Sequence, residues 1–270
     1  MGRDPYPRRI VCLTEETVET LYLLGEDHRI AGVSGYAVRP PRVRKEKPRV
    51  SAFVSADLPK ILALAPDLVL AFSDLQADIV ADLARAGLEV HVFNQRGIDG
   101  IFAMIATLAA LVGAVEKGAA LIADLEARLD TARTRAAARR HKPRVYFEEW
   151  DEPMICGIGW VSQLVEIAGG LDIFANRATG RAARERFVSA EEVIARAPDM
   201  VIGSWCGKKF NPVRFAARPG FDALPAVRAG RLHEIKSTLI LQPGPAALTD
   251  GLEALLALFD AFESERGRGA

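Results

Sequence analysis

The sequence predicts an α/β fold: two Rossmann-like lobes with parallel central sheets, joined by a single long helix. Three observations lead there. Short continuous apolar runs alternate with amphipathic helical stretches, the pattern of strands covered by helices on both faces. One stretch from Val115 to Arg140 keeps helical periodicity with no strand signal. Finally, Phe53-Val54-Ser55-Ala56 returns as Phe187-Val188-Ser189-Ala190. Each copy leads into Ala65-Pro66-Asp67-Leu68-Val69 or Ala197-Pro198-Asp199-Met200-Val201. An echo at such separation implies two related units flanking the long helix. The expected organisation is an N-terminal lobe over 1–113, a connecting helix over 114–141 and a C-terminal lobe over 142–270.

Taken in order, Arg9–Thr14 reads as a strand and Thr17–Leu24 as a helix stopped by Gly25. Ile30–Ser34 is a second strand and Leu58–Leu64 a short helix. Leu68–Phe72 is a third strand, Ala77–Ala86 a helix closed by Gly87, and Val90–Phe93 a fourth strand. Ile98–Val112 is helical and apolar but shorter than the ~20 residues of a membrane span. The Val115–Arg140 helix would measure about 39 Å, roughly the diameter of a small domain, and so suits a rigid strut. Beyond it come a strand at Arg144–Glu148, a helix at Ser162–Ala168 ended by Gly169-Gly170, strands at Met200–Gly203 and Leu232–Ile235, and a closing helix over Ala246–Phe262.

Lys plus Arg and Asp plus Glu are each 35 in 270 residues, so the net charge is zero. That balance argues against a general nucleic-acid binder, which needs a basic surplus. Cys12, Cys156 and Cys206 form no CxxC pair, which disfavours a zinc knuckle or a disulfide framework. Ile10–Leu13 is too short for the apolar core of a signal peptide. The expectation is therefore a cytoplasmic protein as written, and a periplasmic one were a leader removed.

In open parallel sheets, ligands sit beyond the carboxyl ends of the strands. That rule selects Tyr36, Phe53 and Asp74 in the first lobe. In the second it selects Trp150, Trp160, Trp205, Lys208, Lys209 and Gln242. All three tryptophans fall in this set, as expected of an aromatic-lined site in a cleft between lobes. Arg39–Arg49 carries six positive residues against one glutamate, and Lys208, Lys209, Arg214 and Arg218 follow Trp205. These stretches would favour an anionic ligand, or are simply solvated loops.

Motifs of catalysis are missing. There is no GxGxxG and no GxSxG. Gly203–Lys208 falls one residue short of a P-loop and puts Lys209 where Ser or Thr belongs. The four histidines are isolated, so neither a catalytic set nor a metal-ligand set is expected. Glu148, Glu149 and Asp151 are the one concentration of carboxylates, and they motivate an alternative of another class, a metal-dependent enzyme.

Several segments resemble the helical-backbone (class III) periplasmic-type substrate-binding proteins of ABC importers, in their cobalamin and iron–siderophore branch. They are Arg9-Ile10-Val11 with Glu19-Thr20-Leu21, Ile30–Gly35, Leu62–Val69, Gln163–Gly170 with Asp172–Phe174, and Ala197-Pro198-Asp199. The resemblance runs from about residue 9 to 262 and looks nearest to cobalamin-binding members. It implies a monomeric protein with no intrinsic cofactor, clasping a metal chelate. Cobalamin is the first choice of ligand, an iron–siderophore the second, and haem the third. It also implies docking to the membrane subunits of an importer through one glutamate per lobe, seven residues before the proline of the Pro-Asp pair. Glu191 fills that slot in the second lobe. Pro59 occupies it in the first and cannot form an ion pair, which sets the sequence apart from transporter-docked members.

Overall fold

Branched aliphatic runs build the first sheet. In the computed structural model, which describes residues 5–268, its strands are β1 (Ile10–Cys12), β2 (Ile30–Ser34), β3 (Arg49–Ser51), β4 (Leu68–Phe72) and β5 (Val90–Phe93). They pair in parallel in the order β3-β2-β1-β4-β5. The helices α1 (Glu15–Leu23), α2 (Val43–Glu46), α3 (Leu58–Ala63) and α4 (Ala77–Arg85) connect them. The chain builds outward through β2 and β3, then returns past β1 to lay down β4 and β5. That reversal opens a crevice at the carboxyl ends of β1 and β4. Both of these strands are fully buried, with Val11, Leu13, Ile61, Val69, Ala71 and Leu83 in one cluster.

After β5 come α5 (Ile98–Leu111) and α6 (Val115–Ala137). On α5, Ile101, Met104, Ile105, Leu108 and Ala109 are buried, so the apolar stretch is a core helix. A Cβ added at Gly118 of α6 would lie 2.4 Å from that of Ala109, so only glycine permits this helix approach. The chain divides into two compact units within α6. One holds the chain through Gln95 together with Asp99–Asp124; the other holds Arg96–Ile98 and everything from Leu125 onward.

The second unit has a sheet of β6 (Arg144–Asp151), β7 (Met154–Cys156), β8 (Leu171–Asp172), β9 (Met200–Gly203) and β10 (Leu232–Glu234). Strands β10, β9 and β6 run parallel, and β8 pairs in parallel with the start of β6. The far end of β6 pairs with β7 in antiparallel fashion. The central strands are parallel as expected, and β7 adds an antiparallel edge because Glu152 and Pro153 turn β6 directly back on itself. Its helices are α7 (Gly159–Ile167), α8 (Ala175–Ala178), α9 (Ala190–Arg196), α10 (Pro212–Ala216), α11 (Pro225–Arg228), α12 (Ser237–Ile240) and α13 (Leu252–Arg268). A π turn at Ala247–Gly251 precedes α13. The core is aromatic: Tyr146, Phe174, Phe210, Phe215 and Phe221 meet at centroid distances of 5.0–6.3 Å. Arg139, just past α6, donates to Leu256 O (3.3 Å), Ala168 O and Asp260 Oδ1 (2.5 Å), fixing that end of the helix to α7 and α13.

The sequence echo is a structural repeat. Ala65 and Ala197, the alanines of the two Ala-Pro-Asp segments, both take left-handed backbone with φ of 44° and 41°. Asp67 accepts from the backbone N–H of Arg9 (2.9 Å), and Asp199 accepts from that of Arg144 (3.0 Å). The Arg9 guanidinium donates to Leu64 O and that of Arg144 to Arg196 O, closing the preceding helix in each case.

Gly203 ends β9, where the ring of Phe210 returns so closely that an added Cβ would sit 1.9 Å from it. The aromatic cluster around Phe210 has no room to yield. Gly203→Ala is therefore expected to destabilise the fold by about 1–3 kcal/mol through overpacking. Thermal unfolding followed by circular dichroism measures this directly, and an unchanged Tm contradicts it.

Candidate functional site

The carboxyl edge of the first sheet is organised by one buried amide. Gln76 stands in the turn after β4. Its Oε1 accepts from Phe72 N (2.9 Å), and its Nε2 donates to Phe53 O (2.8 Å) and Leu13 O (3.4 Å). The loops after β1, β3 and β4 are thereby held as a unit. Ser73 starts the turn at a φ of 62° and accepts from Leu75 N. After β2, Gly35 N donates to Ser51 O (2.7 Å), which sets the path leading to Tyr36.

These loops present large apolar side chains to solvent: Tyr36 is 48 % exposed, Val54 69 % and Leu75 58 %. Phe53 beside them is half-buried, and Asp74 lies exposed on the same turn as Leu75. Tyr36, Phe53 and Asp74 thus all stand on one sheet edge. Val54 and Leu75 escape a sequence reading that looks for rings and charges. A small pocket of about 360 Å³ opens nearby, walled by Arg49, Ser51, Ser55, Asp57 and Lys60.

Half of the basic run from Arg39 is spent on structure, while Arg44, Lys45 and Arg49 stay exposed. Arg39 pairs with Glu19 (2.8 Å), Arg42 stacks on Tyr22 and faces Asp27 and Glu46, and Lys47 donates to Asp27 O and Ile30 O. An anion-binding rim loses those cations.

Less expected is the acidic start of α1. Every residue from Glu15 to Leu21 is buried. Glu16 accepts from Thr14 Oγ1 (2.7 Å), whereas Glu15 Oε2 is enclosed and accepts from nothing. Burial and the neighbouring carboxyls push Glu15 up to about 8, and burial raises Glu16 to about 7. A Glu-Glu pair in the first turn of a helix is common and gives no hint of enclosure, so sequence reasoning passes over it.

In the second unit, the end of β6 is a set of paired charges. Glu148 is fully buried. It accepts from Arg218 at 2.5 and 3.0 Å, Trp205 Nε1 at 3.0 Å and Tyr146 OH at 3.1 Å. Burial pushes its carboxyl up, and the Arg218 guanidinium pulls against that shift. Glu149 is held by Arg186, which also donates to Cys156 O. Asp151 meets Lys208 Nζ at 2.5 Å. Burial opposes its ionisation, but Lys208 prevails and holds the carboxyl below the ordinary range. Among the described residues, no group of three His, Cys, Asp or Glu could hold a metal ion. All three β6 acids face cations, Glu148 with Arg218, Glu149 with Arg186 and Asp151 with Lys208, although Asp151 Oδ2 accepts no hydrogen bond.

Lys208 also lies 4.1 Å from the Trp150 ring and 5.0 Å from that of Trp205, so ion pair and cation–π contacts lock the 204–210 loop onto β6. Trp150 is half-buried. Trp205 is enclosed in the aromatic core, and Trp160 is enclosed with its indole N–H donating to Ile240 O (2.9 Å). Lys209 is exposed and Gln242 half-buried. Only Trp150 of the three tryptophans keeps accessible ring surface; the other two support the loops around it.

Glu191 is exposed in the first turn of α9, where Ser189 caps the helix and lowers the Glu191 carboxyl. Pro59 is exposed in the first turn of α3, whose cap is Asp57, paired with Lys60 at 2.8 Å. No helix among the described residues is long and apolar enough to cross a membrane.

A family model described as periplasmic binding protein matches residues 10–239. A cobalamin-binding protein of Halobacterium salinarum is 28 % identical over 275 residues, covering 97 % of this chain and 71 % of its own. Among solved structures, the periplasmic vitamin B12 binding protein of Vibrio cholerae aligns with a TM-score of 0.74 at 24 % identity, over 94 % of this chain and 97 % of that one. A periplasmic heme-binding protein from Roseiflexus sp. RS-1 gives 0.79 at 24 % identity, over 93 % and 98 %. These likenesses establish the two-lobed α/β fold.

Two outcomes follow from the charge arrangement. Arg218→Ala leaves Glu148 buried and unpaired and is expected to cost about 3–5 kcal/mol; pairing it with Glu148→Gln recovers part of the loss in a double-mutant melting cycle. For Glu15 and Glu16 the folded pKa lies above the unfolded one. Their contribution is full below about pH 4.5 and is lost as pH rises towards 8. Glu15→Gln should therefore raise Tm more at pH 8 than at pH 5, and an equal effect at both contradicts the assignment.

Proposed function

The chain belongs to the periplasmic binding protein family, and we propose that it binds a metal chelate of the cobalamin type, for uptake or intracellular handling. The family is one of binding proteins, not of enzymes, and the chelate is cargo rather than a resident cofactor. The observation that carries the reading is the apolar fringe of Tyr36, Val54 and Leu75 on the carboxyl edge of the first sheet. Two ion pairs in these loops, Arg39 with Glu19 and Lys60 with Asp57, neutralise charges near it. Such a surface suits the broad, largely uncharged face of a corrinoid better than a polyanion. Relatives named for cobalamin and vitamin B12 support the same choice.

On this reading Tyr36 and Phe53, with Asp74 at their margin, contact the ligand from the first unit. In the second unit Trp150 and Gln242 are the candidates with accessible surface, while Trp160, Trp205 and Lys208 hold loops in place. Lys209 is an exposed cation suited to an iron–siderophore, the second reading; haem is the third. The helix α6 serves as the stiff connection between lobes. Glu191 is the residue offered to a transporter's membrane subunits by a protein that is otherwise monomeric, and Pro59 restricts that docking to the second unit.

The test is a visible-region titration with hydroxocobalamin, haem and a ferric siderophore. A saturable spectral change with hydroxocobalamin is expected, and Tyr36→Ala should weaken it about tenfold, or ~1.4 kcal/mol. Absence of binding to any chelate would sink the reading.

A further inference from the structure

We propose that Glu15, backed by Glu16, forms a subsite at the β1/β4 crevice that accepts an uncharged carboxamide of the ligand and turns away carboxylates. This rests on the corrinoid reading above and assigns to that ligand its peripheral chemistry.

Two independent observations lead to it. One is topological. In the order β3-β2-β1-β4-β5, the reversal lies between β1 and β4, which is where open parallel sheets receive ligands. Glu15 is the third residue after β1, and the turn carrying Ser73, Leu75 and Gln76 follows β4. Gln76 ties these two loops together through Leu13 O. The other is an unmet hydrogen bond. Glu15 is only 7 % exposed, yet its Oε2 accepts from no group in the folded chain. The other glutamates at the start of this helix are satisfied, Glu16 by Thr14 and Glu19 by Arg39. An enclosed acceptor without a donor is costly, and a donor arriving from outside removes that cost.

Electrostatics then selects the donor. Glu15 is surrounded by Glu16 and Glu19, with Arg44 as the opposing cation. A carboxylate brought to this place adds another negative group where desolvation already disfavours ionisation. A carboxamide instead donates its N–H to Oε2 and brings no charge. Corrinoids such as cobalamin and cobinamide carry their peripheral groups as carboxamides, whereas cobyrinic acid carries them as carboxylates. A subsite of this kind sorts finished, amidated corrinoids from their acid forms.

The experiment compares dicyanocobinamide with dicyanocobyrinic acid by spectral titration at pH 8, using the full chain and its Glu15→Gln variant. The full chain is expected to bind the amide form at least tenfold more tightly, and Glu15→Gln to shrink that ratio about tenfold. Equal affinity of the full chain for both forms overturns the subsite without any variant. A ratio unchanged within twofold in a Glu15→Gln protein that still melts cooperatively overturns it as well, while leaving the corrinoid reading standing. If the full chain binds neither corrinoid, the functional reading itself fails and takes the subsite with it.

Discussion

Parallel pairing has a geometric consequence on which much of this protein depends. Strands that run the same way deliver all their carboxyl ends to one edge, so every connection leaving that edge starts from the same place. In the first unit this brings Glu15, Tyr36, Phe53 and Leu75 together, although they are spread over sixty residues of chain. Nothing local in the sequence asks for their proximity. The strands and the crossover helices between them impose it. What distinguishes the edge from a mere collection of loops is Gln76, which converts three separate chain ends into one piece of structure.

The two units handle charge at that edge in different ways. In the second, each acid leaving β6 has its own cation, and the cations are themselves seated on aromatic rings: Arg218 on Phe215, Lys208 on Trp150. The result is a network in which every acid faces a cation, although Asp151 Oδ2 and Arg186 Nε make no hydrogen bond. In the first unit, the acids at the start of α1 are enclosed without full compensation. Acids paired with cations read as scaffold. An enclosed acid without a cation of its own, at the point where the strand order reverses, reads as the place left open for something else.

Much of the fold was legible. The strands Ile30–Ser34, Leu68–Phe72, Val90–Phe93 and Met200–Gly203 have the predicted bounds, because continuous apolar runs between glycine and proline signals leave little freedom. The echoed Ala-Pro-Asp segments proved to share backbone conformation as well as letters. What escaped was structure whose cause is not local. Arg49–Ser51 pairs with β2 although it sits in a basic run, and Met154–Cys156 is a strand only because β6 offers it an edge. The closing helix extends to Arg268, past the last apolar residue, on a solvated face that hydrophobic periodicity cannot mark. The strand-end rule selects Tyr36 and Phe53, and both stand in the loops at the carboxyl edge of the first sheet. Sequence could not show that Trp160 and Trp205 turn inward, since that depends on an indole N–H finding Ile240 O or Glu148 across the fold. It also could not show that Glu15 is enclosed.

One property of the Gln76 lash reaches past this chain. All three of its hydrogen bonds go to main-chain atoms, at Phe72, Phe53 and Leu13. The backbone offers the same carbonyls and amides whatever side chains it bears. Residues 13–16, 53–54 and 74–75 can therefore be exchanged over generations without loosening the frame that holds them. A lineage built on such a frame can drift from one cargo to another by changing what decorates the loops, while their path stays inherited.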